Sequence, residues 1–126
     1  MIPNLMVEDM PASINFYKEH LGFEKFMSVP EEQSKSEFDW AWIKNGDVNV
    51  MLQTRESIEE DMDIFKGVPL GASLGFYTKV PDVQGLYDRL KGKVEIVMDM
   101  RTTFYGAKEF GITDNSGYHL TFAQEM

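Results

Sequence analysis

The chain has 126 residues, 43% of them hydrophobic and 13% aromatic, enough apolar mass for one domain with a buried core. Its formal charge of −9 repels nucleic acid and anionic membranes, either of which would need a basic patch. It has no cysteine, so disulfides, thiolate nucleophiles and thiolate metal sites are excluded; no run approaches the length of a membrane span, and a soluble, cytoplasmic protein is expected.

Residues 2–7, IPNLMV, alternate as a short strand. Asp9 then opens a segment in which Ile14, Tyr17 and Leu21 recur at helical spacing, closed by Gly22. His20 falls in its last turn, where it suits the negative end of the helix dipole. FEKFMSV reads as a second strand, followed by an acidic polar loop through Glu31-Glu32. EFDWAWI then meets DVNVMLQ across Asn45-Gly46, a strong hairpin signal. A polar stretch from Thr54 to Phe65 follows, in which SIEEDMDIF reads as an amphipathic helix capped by Ser57. Beyond the Gly and Pro punctuation at 67–71, SLGFYTKV is a strand and Asp82 precedes a helix carrying Leu86 and Leu90. VEIVMDM is again a strand, and a last hairpin turns on Asp114-Asn115-Ser116-Gly117.

The order strand, helix, three strands occurs twice. The strand-to-helix aspartates Asp9 and Asp82 are 73 positions apart and the turn glycines Gly46 and Gly117 are 71 apart, so both ends of the unit shift together. The expectation is an α+β domain of two tandem βαβββ modules, about 1–55 and 72–126, joined by a linker 56–71.

LMVEDMPASINFYKEHLGFE resembles the opening of the vicinal-oxygen-chelate superfamily, which includes glyoxalase, bleomycin-resistance proteins and extradiol dioxygenases. YTKVPDVQGLYDRLKG is similar to the opening of its second module, and YGAKEFGITDNSGYHLTF to its closing hairpin, usually written around Asp-Pro-Asp-Gly; Asn115-Ser116 depart from that motif in the turn only. The resemblance implies a curved mixed sheet with helices on the convex side, a site in the concave trough, and modules paired in a homodimer. It does not choose among isomerases, dioxygenases, antibiotic-modifying enzymes and binders.

Hairpin register predicts what faces the trough. With Asn45-Gly46 as a two-residue loop, Ile43 opposes Val48, and Ala41, Ile43, Val48, Val50 and Leu52 share an aliphatic face. The opposite face carries Phe38, Trp40, Trp42, Asn49, Met51 and Gln53, too apolar to be merely solvated. In the last hairpin a three-residue loop ending in Gly117 pairs Asp114 with Tyr118. That register makes Phe110, Ile112, Leu120 and Phe122 core, and puts Glu109, Gly111, Thr113, His119, Thr121 and Ala123 on the other face.

Metal-using members of the superfamily place His or Glu at four trough positions, which match Ile2, Met51, Gly75 and Thr121 here, with Ser73 as the nearest alternative to Gly75. None ligates a divalent ion well, and zinc or iron needs three or more convergent donors. His119 with Glu109 would supply two. Phosphate loops, nucleophile elbows and His-Glu-x-x-His are absent from the sequence.

The expected function is therefore that of the metal-free, bleomycin-resistance-like branch, without a cofactor: a homodimer whose groove holds an aromatic or cationic small molecule. Its ligand-binding residues would be Phe38, Trp40, Trp42, Asn49, Met51, Gln53, His119 and Thr121. The alternatives are a lyase, isomerase or dioxygenase with His119 or Glu109 as acid-base group, and a dimeric interaction protein without ligand.

Overall fold

The computed structural model describes residues 1–30 and 38–126, so Glu31-Glu32 lie outside the described residues. The chain divides into two compact units, Met1–Leu70 and Gly71–Met126.

The first unit runs β1 (Asn4–Val7), α1 (Met10–Leu21), β2 (Glu24–Val29), β3 (Trp40–Asn45), β4 (Val48–Thr54) and α2 (Arg55–Asp61), then a short 3-10 turn over Asp63–Phe65. Its sheet has the order β1-β4-β3-β2, with β1 parallel to β4 and the other pairs antiparallel. The second unit comprises β5 (Gly75–Lys79), α3 (Val83–Leu90), β6 (Glu95–Thr102), β7 (Ala107–Thr113) and β8 (His119–Glu125). Its sheet order, β5-β8-β7-β6, repeats the first position for position, again with one parallel pair. The βαβββ module is thus present twice.

The helices start where the sequence supplies an acceptor for orphan N–H groups. Asp9 Oδ1 accepts from Ala12 N at 3.0 Å, and Asp82 Oδ1 accepts from Gly85 N at 3.0 Å. Helix α1 ends at Gly22, whose φ of 73° is the left-handed conformation that glycine adopts without penalty. Helix α2 is capped by Thr54 and not by Ser57: the Thr54 hydroxyl accepts from Ser57 N at 3.3 Å, and β4 passes straight into the helix.

One face of each sheet forms the core. In the first unit Leu5, Val7, Ala41, Ile43, Val50 and Leu52 are buried, together with Met10 and Tyr17 of α1. In the second, Phe110, Ile112, Leu120 and Phe122 are buried, and the Tyr87 ring of α3 meets Phe110 edge-on at 5.2 Å. Each such side chain contributes roughly 1.5–3 kcal/mol of transfer free energy when fully buried.

The β3–β4 hairpin corrects one expectation. Asn45 pairs with Val48, so the loop is Gly46-Asp47, and Ile43 opposes Val50 where Val48 was expected. Asn45 stays in the strand because its side chain is committed elsewhere: Nδ2 donates to the Leu21 carbonyl at the end of α1, 2.8 Å away. Gly46, with φ 57°, takes the first loop position. The partner slips by two residues, an even number, so within β3 and β4 both faces keep the side chains assigned to them. The closing hairpin has the expected register: Asp114 N donates to Tyr118 O at 2.9 Å, and Thr113 pairs with His119.

Candidate functional site

The face of the first sheet opposite the aliphatic layer brings together Trp40, Trp42, Asn49, Met51 and Gln53, since Trp40 pairs with Gln53 and Trp42 with Met51. Trp42 is held in place. Its Nε1 donates to Asn49 Oδ1 at 3.0 Å, and its ring stands edge-on to Trp40 at 6.4 Å and to Phe26 at 5.5 Å. Phe26 is 56% exposed and lies at the β2 bulge between Lys25 and Met27. The bulge turns it toward Trp42, and strict alternation along FEKFMSV gives no sign of that.

Phe38 does not join these rings. It precedes β3, with Asp39 in a bend between them, and is 9% exposed. The Lys25 ammonium lies 4.2 Å from its ring centroid, and Lys25 pairs with Ile43 of the aliphatic layer. Extending the strand alternation back to residue 38 fails because the bend breaks it.

The two amides are engaged within the protein. Gln53 Oε1 accepts from Asn4 Nδ2 at 2.9 Å and Gln53 Nε2 donates to Ser57 Oγ at 2.9 Å, which ties the start of α2 to this face. Asn49 Nδ2 donates to the Asp47 carbonyl at 3.1 Å. Both amides therefore brace the face, and its outward chemistry is aromatic.

The second sheet's open face is built differently. Gly75 pairs with His119 and Tyr77 with Thr121, while Glu109, Gly111 and Thr113 cross from Ala123, Thr121 and His119. His119 Nε2 shares a hydrogen bond with Thr121 Oγ1 at 2.9 Å. Its ring lies over Gly111, where a Cβ would come within 2.7 Å of the imidazole Cε1. Glycine at 111 thus leaves the space that the imidazole occupies.

Glu109 is 1% exposed. Its Oε1 accepts from Arg101 Nη2 at 2.7 Å and from Nε at 3.2 Å; its Oε2 accepts from Tyr105 Oη at 2.7 Å and from Tyr77 Oη at 3.3 Å. Burial pushes this carboxyl up, but the hydrogen bonds from Arg101 and Tyr105 outweigh burial and hold it below the usual carboxylate range. The same contact with Glu109 raises the Tyr105 hydroxyl. A carboxylate with four donors around it is a poor general base.

Arg101, Tyr105 and Tyr77 are the residues that sequence reasoning missed. A signal was there: Gly106, with φ 82°, ends a three-residue loop like that of Gly117, and Gly106 N donates to Thr103 O as Gly117 N does to Asp114 O. Counting outward from Gly106 as from Gly117 sets Arg101 opposite Glu109, as observed.

The superfamily positions for a divalent metal do not fit one here. Met51 sits across from Asn4, whose amide is bonded to Gln53; Gly75 offers no side chain, and the Thr121 hydroxyl is bonded to His119. Among the described residues there is no group of three or more His, Asp or Glu side chains that could hold a metal ion. Nor, among the described residues, is any helix long and apolar enough to cross a membrane.

Two βαβββ modules with one covered and one open face per sheet define a known class. The sequence model of the Glyoxalase/Bleomycin resistance protein/Dioxygenase superfamily matches residues 3–122, and the chain belongs to that superfamily. Among solved structures it is similar to a glyoxalase/bleomycin resistance protein/dioxygenase family enzyme from Burkholderia phytofirmans PsJN, at 14% identity and a TM-score of 0.77, over 98% of this chain and 95% of that one. A superfamily member from Sphaerobacter thermophilus DSM 20745 is 19% identical, with a TM-score of 0.76 over 99% and 96% of the two chains. TioX from Micromonospora sp. ML1 is 16% identical, with a TM-score of 0.73 over 99% and 98%. At these identities the likeness is one of fold. None of the curated proteins matches the chain.

Proposed function

We propose that this chain is a metal-independent, cytoplasmic small-molecule-binding protein that works as a homodimer and holds an aromatic or cationic compound against its open sheet faces. The observation that carries this reading is the preorganised aromatic surface of the first sheet. Trp42 is fixed by Asn49 and flanked by the Trp40 and Phe26 rings, so a flat ligand meets rings that lose little freedom on binding. A cation stacked on such a ring gains roughly 0.5–2 kcal/mol. Phe26, Met27 and Val29 are exposed along the edge strand β2, and an apolar edge of this kind supports a second copy as the dimer partner.

The test is a thermal-shift screen of aromatic and cationic compounds followed by titration of indole emission, because a ligand of the native state raises its melting temperature by mass action. Trp40→Ala should weaken the selected ligand by about 2 kcal/mol or more if the rings are the anchor. Unchanged affinity in a folded Trp40→Ala protein would refute the aromatic anchor. Sedimentation at micromolar concentration should give a dimer, and chelator should leave the melting temperature unchanged. Stoichiometric zinc, nickel, manganese or iron that survives dialysis would overturn metal independence.

One observation favours a second reading, an acid-base enzyme. The half-buried His119 is oriented by Thr121 on the open face of the second sheet. On that reading His119→Ala lowers turnover of the selected compound about a hundredfold or more with binding largely intact; on the binding reading it costs one hydrogen bond, about 1 kcal/mol of affinity.

A further inference from the structure

The Glu109 cluster spends a buried carboxylate on a side chain that remains in solvent. Glu109 is 1% exposed, whereas the Arg101 side chain paired with it is 56% exposed. An ion pair of this kind is weak support for the fold, since the desolvation of the buried partner offsets most of the attraction. What it does achieve is orientation. Nε and Nη2 both donate to one oxygen, Glu109 Oε1, so the guanidinium plane is fixed by its inner edge. Of the five N–H donors an arginine carries, that contact takes two. Among the described residues Arg101 makes no second ion pair; beyond Glu109, the Tyr105 hydroxyl is its other hydrogen-bonding neighbour.

Aromatic side chains gather around the same carboxylate. Tyr105 and Tyr77 give their hydroxyl hydrogens to Glu109 Oε2 and are themselves about half exposed. Phe104, at the tip of the same β6–β7 loop, is fully exposed and meets the Tyr105 ring edge-on at 5.1 Å. A whole phenyl ring in water contributes nothing to the core and is available to a ligand. One hairpin therefore presents, side by side, a guanidinium fork held from behind and a pair of exposed rings.

We propose that the Arg101–Tyr105–Phe104 surface of the β6–β7 hairpin is a subsite for an aromatic carboxylate. The carboxylate accepts a forked pair of hydrogen bonds from the outer edge of Arg101, and its ring lies against Phe104 and Tyr105. Glu109 is the positioning residue: it touches Arg101, not the ligand. Because Arg101 and Glu109 nearly cancel in charge, recognition depends on directed N–H donors and not on a positive field. The proposal rests on the small-molecule-binding reading but not on the Trp40–Trp42 surface, which lies in the other unit.

The experiment uses the full chain and three probes of one shape: 1-naphthoate, 1-naphthamide and 1-naphthylmethylammonium, titrated by calorimetry or ligand-observed NMR. The naphthoate should bind about tenfold or more tighter than the amide, as expected for a bidentate charge-assisted pair. Arg101→Gln should bring naphthoate down to the affinity of the amide while leaving the amide unchanged. Arg101→Lys keeps the charge and loses the fork; it should also remove most of the preference, and it carries the test if the glutamine variant does not fold. Phe104→Ala should weaken naphthoate and naphthamide equally, by about threefold. Trp40→Ala should leave the preference intact. Equal binding of the three probes, no binding of any of them, or a tenfold preference that survives both Arg101 substitutions would each overturn the subsite. If the preference vanished in Trp40→Ala and not in the Arg101 variants, the subsite would be wrong while the aromatic surface of the first sheet stood.

Discussion

The two modules share a topology and differ in what they do with the face that helices leave uncovered. In the first, the open face is aromatic and amide: Trp40 and Trp42 outward, with Asn4 bonded to Gln53, Gln53 to Ser57 and Asn49 to Trp42 as bracing. In the second, the open face carries ionisable and hydroxyl groups: Glu109 beneath Arg101, Tyr77 and Tyr105, and His119 beside Thr121. The covered faces, by contrast, are interchangeable in kind, aliphatic in the first module and aliphatic with phenyl rings in the second. The difference teaches that the fold constrains one face of each sheet by packing and leaves the other to be specialised.

The parallel between the covered faces is tested by the largest expected effects. Leu52→Ala should cost about 2–5 kcal/mol and Phe110→Ala about 3–5 kcal/mol, read from urea unfolding, because both side chains are fully buried. A large loss in one module with almost none in the other would break the parallel.

The contrast between the open faces shows next as a dependence on pH. Glu109 is held below its ordinary value of 4.5, so the stability it contributes is present above that value and is lost as pH falls through its lower, folded-state value. The stability gap between wild type and Glu109→Gln should therefore shrink as pH drops below about 4.5. In Arg101→Met the same carboxyl loses its largest partner and burial takes over, which raises it; the variant should lose stability as pH rises from 4.5 toward neutrality, the opposite slope. Denaturant midpoints at pH 3.5, 5 and 7 check both signs, and parallel profiles for the three proteins would refute the role given to this pair. No such profile is expected for Trp42→Phe, which removes one hydrogen bond to Asn49 for about 1 kcal/mol at every pH. The two helix caps close the series: Asp9→Ala and Asp82→Ala should each cost about 1 kcal/mol, in agreement with their matching geometry.

Most of the fold is legible in the sequence because its signals are local and doubled. The capping aspartates, the turn glycines and the alternating runs each recur at nearly one offset, so an error in one copy is checked by the other. The faces were also legible, since parity survives a two-residue slip in the β3–β4 register. What escaped is what depends on exceptions to parity or on contacts far along the chain. The bulge that turns Phe26 toward Trp42 and the bend at Asp39 that separates Phe38 from it both break alternation without a Gly or Pro to mark them. The Thr54 cap was hidden because β4 runs into α2 without a loop. The partners of Glu109 are a strand and a loop away, so the sequence leaves it a possible acid-base group until the count from Gly106 brings Arg101 across from it.

The hydrogen bond from Asn45 Nδ2 to the Leu21 carbonyl joins two places that normally loosen independently, the last turn of a helix and the tip of a hairpin. Next to it the Gly22 amide donates to the Lys18 carbonyl at 3.3 Å, and the Phe23 amide donates to the Tyr17 carbonyl at 3.0 Å. This clasp couples fraying at the end of α1 to release of the β3–β4 turn by the worth of one hydrogen bond, roughly 0.5–1.5 kcal/mol. Asn45→Ala should therefore speed amide exchange at both the end of α1 and the β3–β4 turn by up to about tenfold.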